Sequence, residues 1–330
     1  MNYIKMAPLT GFAGFGGGSS GLTVAGGAAG TGKWYGDRGI FCLGAGSSGS
    51  KYNNIEYFDF ESLGNAQDFG DHLFSGRDGC TCSDGTKGII AGGSTGNSQD
   101  SIGWFTIATT GNASDRGDLT VAQHGGAGAS DGYYGLIAGG HLWPVSAGTN
   151  VIDTLVVATT GDATDFGDLT EIKWYLGGCG DATRALWMGG ANSSSNVNVI
   201  EYSTYATAGN ATDFGDLQSL KKDGGGCSGE TRGLFGGGWK YEGGNQLVTV
   251  EIDYVTIAST GNASGFGDLS VARANGVGGC ASETKAAWGA GWTGAMSNVM
   301  DYVTIASTGN ASDFGDLAAS RHSVDGLSGA

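Results

Sequence analysis

Proline is nearly missing from this chain, with two in 330 residues, and positive charge is scarce too. Two prolines and no strict three-residue period exclude a collagen-like rod, despite 67 glycines. The glycine content equally excludes a helical protein, because glycine within a helix costs conformational entropy. Only 16 Lys and Arg stand against 32 Asp and Glu, a formal charge of −16. Such a surface repels phosphate backbones and excludes nucleic acid as the expected partner. No apolar run approaches the ~20 residues of a membrane-spanning helix, so no membrane insertion is expected. The opening stretch, MNYIKMAPLTGFAGFGGGSS, lacks the continuous apolar core of a signal peptide, so synthesis in a cytoplasm is expected. Aromatic residues are plentiful, with 12 Tyr, 13 Phe and 8 Trp, which is more than a disordered chain would carry. The composition leaves an all-β protein of many short strands and glycine-rich turns.

The chain repeats itself. A glycine preceding an NA or DA pair falls at Gly64, Gly111, Gly161, Gly209, Gly261 and Gly309, at spacings of 47, 50, 48, 52 and 48 residues. The strings include TGNASDRGDL, TGDATDFGDL and TGNASDFGDL. An apolar run ending in glycine recurs as often, for example GIIAGG (88–93), GLIAGG (135–140) and GLFGGG (233–238). A third segment precedes each turn, as in NVIEYSTYAT, and a fourth follows it, as in KKDGGGCSG. Four β-type segments per repeat predict one four-stranded antiparallel propeller blade each. The last repeat lacks the glycine-ended run, while KWYGDRGIFCLGAG near the start lacks a partner before it. Pairing of residues near 319–328 with the strand around 37–46 would complete a sixth blade and remove open sheet edges. The expected architecture is an all-β, six-bladed β-propeller over 34–330, closed by its terminal segments, with a glycine-rich N-terminal arm over 1–33.

The order of elements resembles kelch-type propellers, with Gly139-Gly140, Tyr202 and Phe214 at the corresponding places. The resemblance spans about residues 34 to 330, in divergent wording. The TGNA-DFGDL variant is similar to repeats in structural proteins of bacteriophages, especially marine ones. That resemblance implies a virion protein, made in the host cytoplasm and present in many copies.

The repeated acids invite a catalytic reading. Eleven aspartates fill the two motif positions: Asp68, Asp71, Asp115, Asp118, Asp165, Asp168, Asp213, Asp216, Asp268, Asp313 and Asp316, with Gly265 in the remaining place. Catalysis needs such a pair once, not in every repeat, so a structural turn is expected, with side chains accepting backbone N–H groups. The motif could supply part of a calcium shell but matches no calcium-loop pattern. Asn112, Asn192, Asn210, Asn262 and Asn310 lie in sequons, but no secretory route is expected. The asparagines of the repeated turn suit a left-handed position. GAAGTGKW (27–34) nearly spells a phosphate loop, but Trp34 replaces the magnesium-binding hydroxyl and a strand follows. The six cysteines, Cys42, Cys80, Cys82, Cys179, Cys227 and Cys280, are expected as buried free thiols, since equivalent sites in different blades lie too far apart to bond. His72, His124, His141 and His322 do not cluster with Cys or carboxylates, and no catalytic residue, metal site or cofactor is assigned.

Variable stretches follow the glycine-ended strands: 93–104, 140–150, 191–198 and 238–246. All should emerge on one face, carrying Trp143, Trp239, Tyr241 and Trp292 as candidate contacts to a partner or glycan. The arm offers Leu9, Phe12, Phe15, Leu22 and Val24 for burial against another virion protein. Display on a tail fibre, tail tip or capsid is the expected function. A glycan- or receptor-binding adhesion module is the alternative, and an enzyme using the central channel is a third reading.

Overall fold

In the computed structural model, which describes residues 33–330, every regular element is a strand. The apolar runs of the repeats become the second strand of each sheet, buried on both faces after the first residue. Strands of that kind need cover above and below, which stacked sheets supply. Six four-stranded antiparallel sheets result, in a propeller-like arrangement. From inner to outer strand, sheet I contains Asp325–Gly329, Arg38–Cys42, Tyr52–Asp59 and Gln67–Gly76. Sheet II contains Cys80–Ser83, Lys87–Ala91, Gln99–Thr106 and Ser114–Gln123. Sheet III contains Ala127–Ser130, Tyr134–Ala138, Val151–Val156 and Thr164–Asp168. Sheet IV contains Gly177–Gly180, Arg184–Met188, Val199–Thr204 and Thr212–Asp216. Sheet V contains Gly225–Ser228, Arg232–Gly236, Glu251–Thr256 and Ser264–Asp268, and sheet VI contains Gly278–Ala281, Lys285–Gly289, Ser297–Thr304 and Ser312–Arg321. The two ends of the described chain share sheet I, where Arg38 is opposite Gly329 and Cys42 opposite Asp325.

The inner strands adjoin in sequence order, and that of sheet I also adjoins that of sheet II. Their second residues are Thr81, Gly128, Gly178, Gly226, Gly279 and Gly326. A Cβ at Gly226 would sit 2.6 Å from the Gly178 carbonyl oxygen, and one at Gly326 2.6 Å from that of Gly279. Thr81 is the one side chain at this level, and its hydroxyl donates to the Gly326 carbonyl at 2.7 Å. Just before these strands, Asp78, Gly125, Tyr175, Asp223, Gly276 and Ser323 all have φ between 54° and 67°. The N–H of Gly125 donates to Asp78, that of Tyr175 to Gly125, that of Asp223 to Tyr175 and that of Gly276 to Asp223. Ser323 donates to Asn275, and Asp78 donates to Ser323 at 3.2 Å.

Apolar side chains fill each gap between neighbouring sheets. Phe69 of sheet I packs with Phe105 and Ile107 from sheet II, and Phe314 of sheet VI packs with Phe58 and Phe60 from sheet I. Leu119, Leu169, Leu217, Leu269 and Leu317 are all buried at one repeat position. Beside them run buried ion pairs: Lys173–Glu201 (2.9 Å), Lys221–Asp253 (3.0 Å), Arg321–Glu56 (3.3 Å) and the close Arg273–Asp301 contact. The Ser270 backbone also donates to Asp301. Between sheets II and III the buried Gln123 stands in the cation's place, and Asp153 accepts instead from both N–H and hydroxyl of Thr120.

The gap between sheets I and II departs from this pattern. Gly76 and Gly103 stand where the ion pair would be, and His72 stands where the other repeats place Leu. A Cβ on Gly103 would strike the His72 ring, which packs edge-on to Phe74 with centroids 4.6 Å apart. Both ring nitrogens of His72 are buried without a hydrogen-bond partner. Burial lowers its pKa from 6.5 to about 4. Between those values the unfolded chain binds the proton more readily, so this residue costs stability as pH falls. His72→Leu should therefore raise stability by about 1–3 kcal/mol near neutral pH. Thermal melts from pH 7 to pH 4 should also show a shallower acid loss than in the parent.

Candidate functional site

The repeated Asp motif lies in the outermost strand, not in a tight turn. In sheet I Glu56 is opposite Asp68 and Ile55 opposite Gly70, which leaves Phe69 as the extra residue of a bulge. The two acids flank that bulge, and the turn proper is the preceding TTGN-type stretch. Among the eleven aspartates, Asp115 accepts a local backbone bond, from Gly117 at 3.1 Å. The glycine between the acids serves close approach: a Cβ at Gly70 would overlap the Gly111 carbonyl, and one at Gly315 that of Gly64.

The asparagine beside the repeated glycine has a different task from the expected one. None of Asn65, Asn112, Asn210, Asn262 and Asn310 has positive φ; the preceding glycines Gly64, Gly111, Gly209 and Gly261 do. Each asparagine instead reaches the neighbouring sheet. Its Oδ1 accepts the backbone N–H of the second motif aspartate there: Asn112 from Asp71 at 3.0 Å, Asn210 from Asp168, Asn262 from Asp216 and Asn310 from Asp268 at 3.1 Å. Asp162 does the same for Asp118 at 3.1 Å, which explains why DA can replace NA. Asn65 accepts from Asp316 at 3.1 Å, which joins sheet I to sheet VI. The alanine that follows donates its N–H back to the same aspartate's carbonyl, as Ala263 does to Asp216 at 2.7 Å. The string is a clasp between sheets, made largely by backbone, Asn and Gly.

The connections between second and third strands lie at the end where the chain enters the inner strands. Backbone bridges tie the two sets together: Arg77 to Ser94, His124 to His141, Trp174 to Ala191, Ala274 to Trp292 and His322 to Ala45. Three variable stretches are more regular than expected. Within 140–150, His141–Leu142 pairs with Ala147–Gly148. Residues from Gln99 onward belong to a strand of sheet II. Trp239–Glu242 and Asn245–Val248 form a hairpin that pairs with Leu220–Lys222.

Trp143 and Tyr241 are 47% and 41% exposed. Trp239 and Trp292 stack on one another at 5.6 Å, and Trp239 donates its indole N–H to Asn275 at 2.7 Å. Neighbouring connections also hold each other: Lys51 donates to the Thr95 carbonyl at 2.7 Å, and Asn196 to that of Trp239 at 3.1 Å.

A funnel opens at the centre of this face and narrows to the level of Thr81 and the inner-strand glycines. Arg77, Lys222, His322 and Trp239 surround its mouth, and Asp78, Tyr175, Asp223 and Asp325 line it below. Sequence spacing does not group the histidines, but the fold brings the His124 and His141 rings within 5.3 Å, near Trp174. Burial lowers the pKa values of His124, His141 and His322, while the Asp78 charge opposes this for His124 and His322. Among the described residues, no three His, Cys, Asp or Glu side chains are grouped to hold a metal. At the opposite end Trp34 and Tyr35 cover the axis, with the Ser83 hydroxyl donating to the Trp34 carbonyl at 2.8 Å and Tyr35 to Glu230 at 2.6 Å. Lys33 pairs with Glu283 at 2.8 Å, and a strand, not a helix, comes next. All six cysteines are buried free thiols. The arm over 1–33, apart from Lys33, lies outside the described residues.

No protein-family model matches the chain, and no curated protein matches its sequence.

The clasp makes a prediction with a built-in control. Asn262→Ala removes one inter-sheet acceptor and should cost about 1 kcal/mol in denaturant unfolding. Asn262→Asp should retain most of the stability, because Asp162 fills the same role in its own repeat.

Proposed function

We propose that the six sheets are the blades of a kelch-like propeller closed by the chain's own ends, and that this wheel is a non-enzymatic structural protein of a bacteriophage virion. Support for closure comes from the shared sheet I and from hydrogen bonds that return from the sixth repeat to the first at both axis and rim. The observation that carries the functional reading is an asymmetry between parts of each repeat. The clasps recur six times and most gap-filling residues recur in four or five of the gaps, whereas the connections on one face differ in length, sequence and structure. A scaffold held constant under variable connections is built for display.

In this reading the protein sits outside the particle, on a tail fibre, a tail tip or the capsid. Residues 1–33 dock it to another virion protein, and the loop face meets the host or a neighbour. The formal charge of −16 limits adhesion to nucleic acid. Localisation to the virion, after synthesis in the host cytoplasm, follows from the phage resemblance of the TGNA-DFGDL repeats. Mass spectrometry of purified particles should find the chain in many copies, and its absence from intact particles would end the virion reading. Density showing five or seven sectors would end the six-bladed one.

A second reading has its own support. Exposed Trp143 and Tyr241, with the Trp239–Trp292 stack, offer flat apolar surfaces to sugar rings beside polar Asn and Ser. A carbohydrate- or receptor-binding adhesion module of any origin would use the same face. On a glycan array the isolated protein should then bind a defined glycan, and Trp143→Ala or Trp239→Ala should abolish the signal.

A further inference from the structure

The funnel separates charge by depth. Arg77 and Lys222 lie at its mouth, the carboxylates of Asp78 and Asp223 one residue further along, and Asp325 two residues deeper in its own repeat. Arg77 approaches Asp78, with Nε 3.5 Å from Oδ2. Asp325 accepts one bond, from the Gly79 N–H at 2.8 Å. Asp223 is only 9% exposed and faces the cavity. Among the described residues its carboxylate has no hydrogen-bond or ion-pair partner, and the charges of Lys222 and, less strongly, Arg77 favour its ionised form. Burial pushes Asp223 up to about 7, with Asp78 adding to the effect. Burial likewise lifts Asp325 well above the usual carboxylate range, again with Asp78 adding.

Of the two inward carboxyls, Asp325 has one donor and Asp223 none among the described residues, which suits them to a cation entering from above. The passage is too narrow for a broad group, because its floor is backbone glycine and the Thr81 side chain. Its walls include the Tyr175 ring, with the Lys222 ammonium 5.8 Å from the ring centre. That ammonium has no carboxylate within ion-pair distance among the described residues, and it would repel a simple cation but attract an anionic tail. Between the level of Lys222 and that of Asp325 each chain bends through its left-handed residue into the inner strand, so the rim cations and the Asp325 carboxyl lie on separate levels of the passage.

We propose that this funnel is a binding site for a slender zwitterion, with a primary ammonium held by Asp223 and Asp325 and a carboxylate held at the rim by Lys222 and Arg77. Two sources share that chemistry: a free ω-amino acid of about lysine's length, and the C-terminal lysine of a polypeptide. The site is independent of the virion and glycan readings, which concern the outer loops.

Calorimetric titration of the purified full chain tests it, with 6-aminohexanoate as the probe and hexylamine and hexanoate as controls. The zwitterion should bind best, hexylamine more weakly and hexanoate not measurably. Asp223→Asn, close in shape, should weaken 6-aminohexanoate about ten-fold or more, the scale of one hydrogen bond to a charged group. Lys222→Gln should weaken the zwitterion and leave hexylamine unchanged or tighter, a split that damage to folding would not produce. Peptides ending in lysine, with a free or an amidated C-terminus, distinguish the two sources. Tighter binding of the free-ended peptide than of 6-aminohexanoate identifies a polypeptide end, and the reverse order identifies a small molecule. Absence of 6-aminohexanoate binding at millimolar concentration, equal binding by Asp223→Asn, or equal binding of hexanoate would each overturn the assignment.

Discussion

Everything in this molecule depends on how closely six inner strands approach one axis. At their second position, five of the six residues are glycine, and a side chain at any of these five would overlap the backbone of the preceding inner strand. Glycine costs more conformational entropy on folding than any other residue. Here that cost gives strands close enough to define the radius from which all other packing follows. The sixth residue, Thr81, shows the limit of the rule, because one small hydroxyl is accepted where it can satisfy the Gly326 carbonyl. The left-handed residues just above work with this constraint. They turn each chain sharply into its inner strand and aim its N–H at the preceding repeat, so backbone bonds around the axis replace side-chain packing there.

The rim repeats the same solution at a larger radius. Strands splay as they leave the axis, and the gap between sheets widens and must be filled. Phe and Leu of the motif do this by burial, while Asn and the motif glycines tie the outer strand of one sheet to the turn of the next. Between axis and rim lie the buried Lys or Arg with its acid. Such pairs contribute little net stability when intact, yet loss of one partner costs several kcal/mol. Their placement at matching positions fixes how neighbouring sheets register. The pair is not obligatory: the gap between sheets I and II has Gly76, Gly103 and His72 instead, and that between sheets II and III keeps Asp153 but has Gln123 in place of the cation.

The repeat length, the strand count and the meeting of the chain's ends were legible because periodic glycine and apolar runs report local geometry directly. The structural rather than catalytic nature of the repeated aspartates was legible from their number. Their actual neighbours were not. A turn asparagine reads locally as a left-handed residue, and nothing within one repeat reveals that its side chain serves the next sheet. The buried pairs do leave a signal in the sequence: Glu201, Asp253 and Asp301 each follow Ile or Met and precede Tyr, and Lys173, Lys221, Arg273 and Arg321 stand at one position in four of the repeats. The funnel carboxylates had none. Asp78 and Asp223 occupy the same repeat position but lie 145 residues apart, and Asp325 stands two places further along its own repeat. Only the closing geometry of the inner strands makes them neighbours.

That last point bears on where function can reside in a repeat protein. Four of the six interfaces carry the same buried pair, and a substitution serving function at one of them would usually damage that shared structural role. Departures from the repeat are therefore best tolerated where the scaffold makes no demand: on connections beyond the second strand and on side chains that project into the axial passage. Asp223 and Asp325 are departures of this kind. Apart from Asp78, their repeat equivalents carry no acid, with Gly125, Tyr175, Gly276 and Ser323 matching Asp223 and Ala127 and Gly177 among those matching Asp325, so packing between sheets does not require the acids. A buried carboxyl that packing does not require marks a candidate functional site, because its desolvation is a cost that the scaffold itself does not need. The variable connections above are under the same freedom, so they and the funnel share the face on which the repeat is least constrained.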